Sequence, residues 1–198
     1  MRKAPYLAIA FALVGATACQ QTATTPNEAT LDARATAPAF GAKPVVLQFR
    51  GTDDSPTQQQ VPNPTGPGTI AADCFTIDLV DVNKDKVVGQ ATDCISVLGV
   101  IGDETNTGLL VVETATFDFG GGHTFTAQGL VSVQPTTHGS PDVTHITGSI
   151  PQAGQNDIIA GTGRYAGLDA SVRLSGAANL SDFPNAVTFD CLFVVQAN

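Results

Sequence analysis

The sequence predicts an all-β protein, an eight-stranded antiparallel up-and-down barrel, with a β-sandwich as the alternative. From about residue 44 onward, short runs of alternating apolar and polar residues recur between Gly, Pro, Asn or Asp. No stretch has a convincing 3.6-residue period, so helices are not expected. Eight sequential antiparallel strands favour closure, because a closed barrel removes exposed edges. We expect strands near residues 44–50, 70–82, 86–98, 108–119, 123–134, 143–150, 168–179 and 186–197.

Two hairpins set the expected register. The first turns at a three-residue loop, 83–85, so that facing positions sum to 168 and Val80 faces Val88. It gives one mostly polar face and one mostly apolar face, as a half-buried sheet requires. The second turns at residues 120–122 and pairs Phe117 with Phe125 and Glu113 with Gly129.

The first hairpin brings Cys74 opposite Cys94, which predicts a disulfide on the solvent face. The alternative is two unpaired thiols that match by chance. Cys191 alternates with apolar neighbours and is expected to be a buried, inert thiol. Its rival interpretation is a bridge from Cys191 to one of the other two cysteines.

The N-terminus reads as an export signal. Arg2 and Lys3 precede an apolar run that is too short to span a bilayer, which predicts a signal peptide at residues 1–18. Cys19 directly follows a small-residue cleavage site, and this resembles a bacterial lipoprotein signal. The resemblance implies a lipidated Cys19, a membrane as partner, and, since Gln20 follows, the outer membrane of a bacterial envelope. The alternative is a secreted or periplasmic protein with a bare thiol at Cys19.

Residues 19–43 are predicted to be the lipidated cysteine and a disordered tether, because they are rich in Thr, Ala and Pro without hydrophobic period. Residues 44–198 form the expected barrel domain, with a long loop at 51–68. Without Arg2 and Lys3 the nine basic residues become seven against eighteen acidic ones, a net charge of −11. Nucleic acid is therefore a poor partner.

Two segments resemble the allene oxide cyclase and dirigent barrels. They are Asp78-Leu-Val-Asp-Val-Asn-Lys-Asp-Lys-Val-Val-Gly89, which continues to Cys94, and Ile158-Ile-Ala-Gly-Thr-Gly-Arg-Tyr-Ala-Gly167. The resemblance implies the barrel fold, a small apolar or phenolic ligand or substrate, and a homo-oligomer, since related barrels form dimers or trimers. Where these families usually continue with Ala-Arg-Gly, this chain has Leu168-Asp169-Ala170. Independently, the glycines of the second segment favour a bulge or a bend at a barrel corner.

Asp93 and Glu113 are the candidate catalytic residues, because both are expected to face the barrel interior. If their strands pair about Asp103, the two carboxyls lie opposite each other, and an apolar lumen would raise at least one pKa. Small residues nearby would leave a cavity: Ala91, Ala115, Ala127 and Gly129. The alternative places Asp93 at the rim and pairs Glu113 with Arg50 or Arg173.

Arg164 and Tyr165 are the candidate ligand-binding residues, since they lie in the glycine-rich segment at an expected barrel mouth. The alternative is that they pack or cap the bend.

The candidate metal ligands are weak. Asp81, Asn83 and Asp85 resemble the start of a calcium loop, but Lys86 and Thr92 replace its glycine and glutamate. The chain has three histidines, His123, His138 and His145. Their spacing does not place two of them on one face, together with a carboxylate, where they could bind one metal ion. We therefore expect no metal and no cofactor.

The functional expectation is an exported, membrane-anchored barrel that binds a small apolar or phenolic ligand or has a structural role. The alternative is a dirigent- or cyclase-like isomerase that steers a reactive intermediate in the lumen.

Overall fold

A closed barrel of eight antiparallel strands forms the body of the protein, which confirms the predicted fold class. The computed structural model describes residues 37–41, 43–103, 106–137, 140–148 and 156–198. The predicted signal peptide and Cys19 lie outside these residues, as do most of the tether and His138. The strands are β1 Val45–Asp53, β2 Thr57–Pro62, β3 Thr69–Asp81, β4 Lys86–Asp103, β5 Asn106–Asp118, β6 Thr124–Thr137, β7 Ser140–Gly148, β8 Ile158–Gly161, β9 Ala170–Asn179 and β10 Val187–Ala197.

The barrel strands follow one another in chain order, β1, β3, β4, β5, β6, β7, β9 and β10. β1 closes the ring by pairing with β10 on one side and with the end of β3 on the other, where Phe49 lies opposite Leu79. Alternation turns one face of each strand inward, and the inward side chains form one apolar cluster that lines the lumen. No helix in the described part of the chain is long and apolar enough to cross a membrane.

Two short strands lie outside the predicted set. Residues 51–68 were expected to be a loop, but β1 continues to Asp53 and β2 pairs with the first half of β3. β2 reads Thr-Gln-Gln-Gln-Val-Pro and buries only Val61, so it carries no alternating pattern that could predict it. β8 pairs with β6 at the start of the glycine-rich segment, where a bend was expected.

The predicted registers of both hairpins are confirmed over most of their length. In the first, Cys74 faces Cys94 and Leu79 faces Gly89. A bulge between Leu79 and Val80 then pairs Val80 with Val87, not with Val88, so the connection is the four residues 82–85. Val88 thereby turns into the core. In the second hairpin Phe117 pairs with Phe125 and Glu113 with Gly129, as predicted.

The two ends of the barrel differ. One, here called the closed end, is covered by the segment 37–40 that precedes β1. Phe40 packs there against Phe119, Phe125 and Tyr165, with ring centroids 6.3, 5.4 and 5.3 Å away. The opposite end, here called the open end, contains a pocket. The glycine-rich segment forms a tight 3₁₀ turn at Gly163–Tyr165 beside the closed end, with Gly163 and Gly167 at φ values of 57° and 73°.

Candidate functional site

Asp93 on β4 and Glu113 on β5 both point into the lumen, and their carboxyl groups are hydrogen-bonded to each other. The expected direct pairing is wrong by two residues, because Asp93 lies opposite Ala115 and Glu113 lies opposite Ile95. The carboxyls are diagonal neighbours on the same face, and diagonal neighbours remain within reach of long side chains. The predicted constellation is therefore present in a shifted register.

Both carboxyls are buried among apolar side chains. Asp93 is 1% and Glu113 is 7% exposed, and Asp93 is thus not at a rim in water. The two arginines considered as alternative partners lie on the outer surface. Arg50 forms an exposed ion pair with Asp190 at 3.7 Å, and Arg173 is exposed.

Burial sets the protonation of the pair. Desolvation raises the pKa of Asp93 to about 7, against a partly opposing effect of its hydrogen bond with Glu113. Desolvation raises the pKa of Glu113 well above its usual value, and the neighbouring Asp93 adds to this. A hydrogen bond between two carboxyls needs a proton, so the groups titrate as a coupled pair that shares it. Such a pair can donate or accept a proton near neutral pH.

Asp93 also carries a polar atom without a partner. Its Oδ1 is buried and accepts no hydrogen bond from the described residues. An unsatisfied buried oxygen is costly, and it is uncommon in folded proteins. This atom marks the lumen position best suited to receive a donor from a ligand or a water.

A small cavity of about 20 Å³ adjoins Glu113. Ala115, Ala127 and Gly129 line it, as expected from their small side chains. This volume holds about one water molecule, so the lumen around the carboxyls is nearly filled. Asp157 also lines the cavity and accepts a hydrogen bond from the Val172 backbone at 2.8 Å. Sequence reasoning missed Asp157, because it precedes β8 and belongs to no alternating run.

Cys191 is a buried free thiol, as predicted. Burial raises its pKa to about 12, and the negative charges of Asp93 and Glu113 contribute. Its Sγ lies 3.5 Å from the carbonyl of Ala177. A thiol with this pKa stays protonated near neutral pH, so Cys191 acts as a packing group and not as a nucleophile.

The Cys74–Cys94 disulfide is present, with a Cα–Cα distance of 4.0 Å. Both cysteines point away from the lumen, as expected, but the solvent-facing position is corrected. β2 folds over them, and they form a second small cluster with Val61, Ala72 and the partly buried Ile70. The disulfide is therefore a covered link beneath β2.

Arg164 and Tyr165 lie at the closed end and hold the segment that precedes β1. The hydroxyl of Tyr165 donates to the carbonyl of Pro38 at 2.7 Å, and Arg164 Nη1 donates to that of Ala37 at 2.8 Å. Burial raises the pKa of Tyr165 to about 12, so it remains a donor. Tyr165 also packs against Phe40, Phe119 and Phe125, which agrees with the alternative of a packing role. A ligand-binding role stays a prediction.

The calcium-like turn has a different set of contacts. Asp81 accepts a hydrogen bond from the Asn83 backbone at 3.0 Å and forms an ion pair with Lys84 Nζ at 2.9 Å.

The two described histidines lie apart from each other. His123 accepts a hydrogen bond from the Arg164 backbone, and His145 is exposed beside Thr147. Within the described ranges, no three His, Cys, Asp or Glu side chains are grouped to hold a metal ion.

The open end contains a pocket of about 240 Å³ that sequence reasoning missed. Its lining is apolar except for Asp73 and Thr144; the apolar members are Phe75, Ile95, Val97, Leu109, Val111, Val133, Ile146, Ala178, Leu180, Phe183 and Phe189. Ile95 and Val111 are the inward-facing residues next to Asp93 and Glu113 on their strands. The carboxyl pair thus lies one layer below this pocket.

No protein-family model matches the chain, and no curated protein sequence matches it either. The class of protein that the fold defines is a closed eight-stranded antiparallel β-barrel with a buried carboxyl pair.

Proposed function

We propose that the barrel binds a small apolar or phenolic ligand in the open-end pocket. The observation that carries this proposal is the pocket of about 240 Å³, whose lining includes three phenylalanines and eight aliphatic residues. Ligand sites are typically concave, mostly apolar and provided with few polar groups. This volume lies just below the usual range for drug-sized ligands, so it suits a single ring or a short chain.

The polar groups of the pocket favour a ligand with one hydroxyl. Thr144 is buried at the wall, and its Oγ1 lies 3.4 Å from the carbonyl of Ala178. Asp73 lies on the lining as well, and no other polar side chain is among the described lining residues. One or two polar groups in an apolar site orient a ligand, as a phenolic hydroxyl would require.

The Ala178→Leu variant tests this pocket. We expect it to weaken binding of the single-ring phenolic probe 4-methylphenol at least tenfold, because the added carbons would fill part of the pocket that Ala178 lines. Ala177→Leu is the matched control, since its side chain lies on the outer face of the same strand. Native mass spectrometry of the purified wild-type protein should also reveal a co-purified small molecule. Equal probe affinity in the wild type and both variants would place binding elsewhere.

A second candidate is an isomerase similar to the allene oxide cyclases and dirigent proteins. It is favoured by the Asp93–Glu113 pair, which holds a proton one layer below the pocket. The closed barrel and the glycine-rich segment are compatible with distant kinship to these families, although a fold alone does not determine function. The two candidates differ in what leaves the pocket. A binding protein releases its co-purified compound unchanged, whereas an isomerase releases an isomer of equal mass and Asp93→Asn loses the conversion.

We further propose that the protein is exported and anchored to a bacterial envelope membrane by a lipid on Cys19. The support is the sequence of residues 1–20 together with the Cys74–Cys94 disulfide, which is typical of an oxidising compartment. In a bacterial host we expect the wild-type chain to incorporate labelled palmitate and to be recovered in the membrane fraction. Cys19→Ser should lose the label and move to the soluble fraction. Labelled Cys19→Ser protein would contradict the assignment of the lipid to this residue.

A further inference from the structure

A second concave site lies on the outside of the barrel, away from the lumen. It is a groove of about 380 Å³ between β2 and β8, across the outer faces of β4, β5 and β6. The floor contains four threonines and Cys94, and the walls are four β2 residues and two β8 residues. The lining residues are Thr92, Thr114, Thr116, Thr126, Cys94, Gln59, Gln60, Val61, Pro62, Ile159 and Ala160.

The floor belongs to a row of threonines at facing positions of four neighbouring strands. Thr76 faces Thr92, Thr92 faces Thr116, and Thr116 faces Thr126. The hydroxyls of Thr76 and Thr92 are 2.9 Å apart, and those of Thr116 and Thr126 are 3.0 Å apart. A hydroxyl has one donor and two acceptor positions, so each bonded pair keeps one hydrogen and several lone pairs for a ligand.

The wall formed by β2 is held in place from several directions. Gln128 Nε2 donates to the carbonyl of Pro62 at 2.8 Å and to Thr114 Oγ1 at 2.9 Å. Val61 packs on the buried disulfide beneath it. The groove is therefore built before a ligand arrives, which lowers the entropic cost of binding.

The lining contains no charged side chain. Its polar groups are hydroxyls and amides, each of which offers both donors and acceptors, as sugar hydroxyls do. The exposed side chains of Pro62 and Ile159 add apolar surface that suits the C–H face of a sugar ring. From this lining we propose that the groove binds a neutral saccharide.

An extended peptide fits the groove less well. β2 is six residues long, and the carbonyl of Pro62 already accepts from Gln128. Its proline also has no N–H to donate, so little of the β2 edge can pair with an added strand. The paired hydroxyls of the floor, in contrast, point to a ligand that bonds through side chains.

The test uses the full chain with three neutral probes, chitotriose, maltotriose and cellotriose, followed by NMR of the threonine methyl groups. We expect at least one probe to give saturable shifts at Thr92, Thr116 and Thr126, with an affinity that is nearly independent of salt. Thr116→Val keeps the shape but removes a hydroxyl, and should weaken binding about fivefold. Thr188→Val is the matched control, because Thr188 forms a similar exposed pair with Thr52 at 2.8 Å.

Several results would overturn the proposal. One is the absence of saturable shifts with all three sugars, and another is an equal loss of affinity in the two valine variants. Binding of an extended Thr-Val repeat peptide in place of the sugars would assign the groove to strand addition at β2. The Ala178→Leu variant should bind the sugars normally, which keeps this site separate from the pocket in the lumen.

Discussion

Replacing Asp93 with asparagine is expected to stabilise the protein above neutral pH by as much as about 4 kcal/mol. The reason is the rise of the Asp93 pKa from 3.8 to about 7, because each pKa unit corresponds to about 1.4 kcal/mol. Asparagine has nearly the same shape and carries no charge to desolvate. Its amide can still donate a hydrogen bond to Glu113. The folded protein then no longer has to bury the negative charge of Asp93 beside Glu113.

The same pKa fixes the direction of the pH dependence. A carboxyl whose pKa is raised in the folded state holds its proton there when the unfolded chain has already released it. The unfolding free energy therefore falls as pH increases, from about pH 4 through about pH 7 for Asp93. The raised pKa of Glu113 acts in the same direction and adds to this fall. This trend is opposite to that of proteins whose carboxylates are stabilised by salt bridges.

Urea denaturation between pH 4 and pH 9 measures both effects. Asp93→Asn should reduce the decline of the unfolding free energy with increasing pH. The double variant Asp93→Asn, Glu113→Gln should nearly abolish this decline. Asp190→Asn removes the same charge from an exposed residue, where it forms only a loose ion pair with Arg50. It is expected to change stability by less than about 1 kcal/mol. A wild-type protein that becomes more stable from pH 4 to pH 7 would contradict the buried pair.

The sequence predicted the hairpins well because turn residues and alternation act locally. The three glycines at 120–122 and the polar residues near Lys84 restrict where the chain can reverse, and side-chain alternation then fixes the facing pairs up to the bulge that pairs Val80 with Val87. The β4–β5 register escaped prediction, because that connection has no comparable turn signal. A bulge between Val97 and Gly99 also interrupts the strand.

The open-end pocket and the outer groove could not have been predicted from the sequence. Both form where residues from distant strands meet, and curvature decides how closely they approach. The pocket combines Phe75 with Phe183, and the groove combines Gln60 with Ile159. β2 illustrates the same limit, because its stability comes from pairing and from the disulfide beneath it. Its own residues have no strand pattern.

The two ends of the lumen have different chemistry for a physical reason. At the closed end, aromatic rings fill the barrel, and Phe117 stacks on Phe125 with centroids 4.5 Å apart. Toward the open end the inward residues are mainly aliphatic, and a pocket remains. Asp93 and Glu113 lie between these regions, so any ligand approaches them from the open end. From this arrangement we expect the closed end to contribute most of the stability, and we place the proposed ligand at the open end.

Phe125→Ala should be among the most destabilising substitutions, with a loss of about 3–5 kcal/mol of unfolding free energy. Phe125 is fully buried and its ring contacts Phe117, Phe119, Phe40 and Tyr165. Removing the ring leaves a cavity that the rigid barrel wall cannot close. The loss is a large part of the total stability of a typical domain. Urea denaturation at pH 5 measures it while the carboxyl pair is still largely protonated.

The substitution should also release the segment before β1, since Phe40 would lose a central contact. We expect limited proteolysis near residues 37–40 to become faster in Phe125→Ala, whereas Phe125→Leu should be intermediate in both stability and cleavage. Phe183→Ala is the control, because Phe183 lies at the open end and is 49% exposed. Phe183→Ala should lower the unfolding free energy by less than about 1 kcal/mol and leave the rate of proteolysis near residues 37–40 unchanged. Similar losses in Phe125→Ala and Phe183→Ala would show that the closed end does not carry the stability assigned to it.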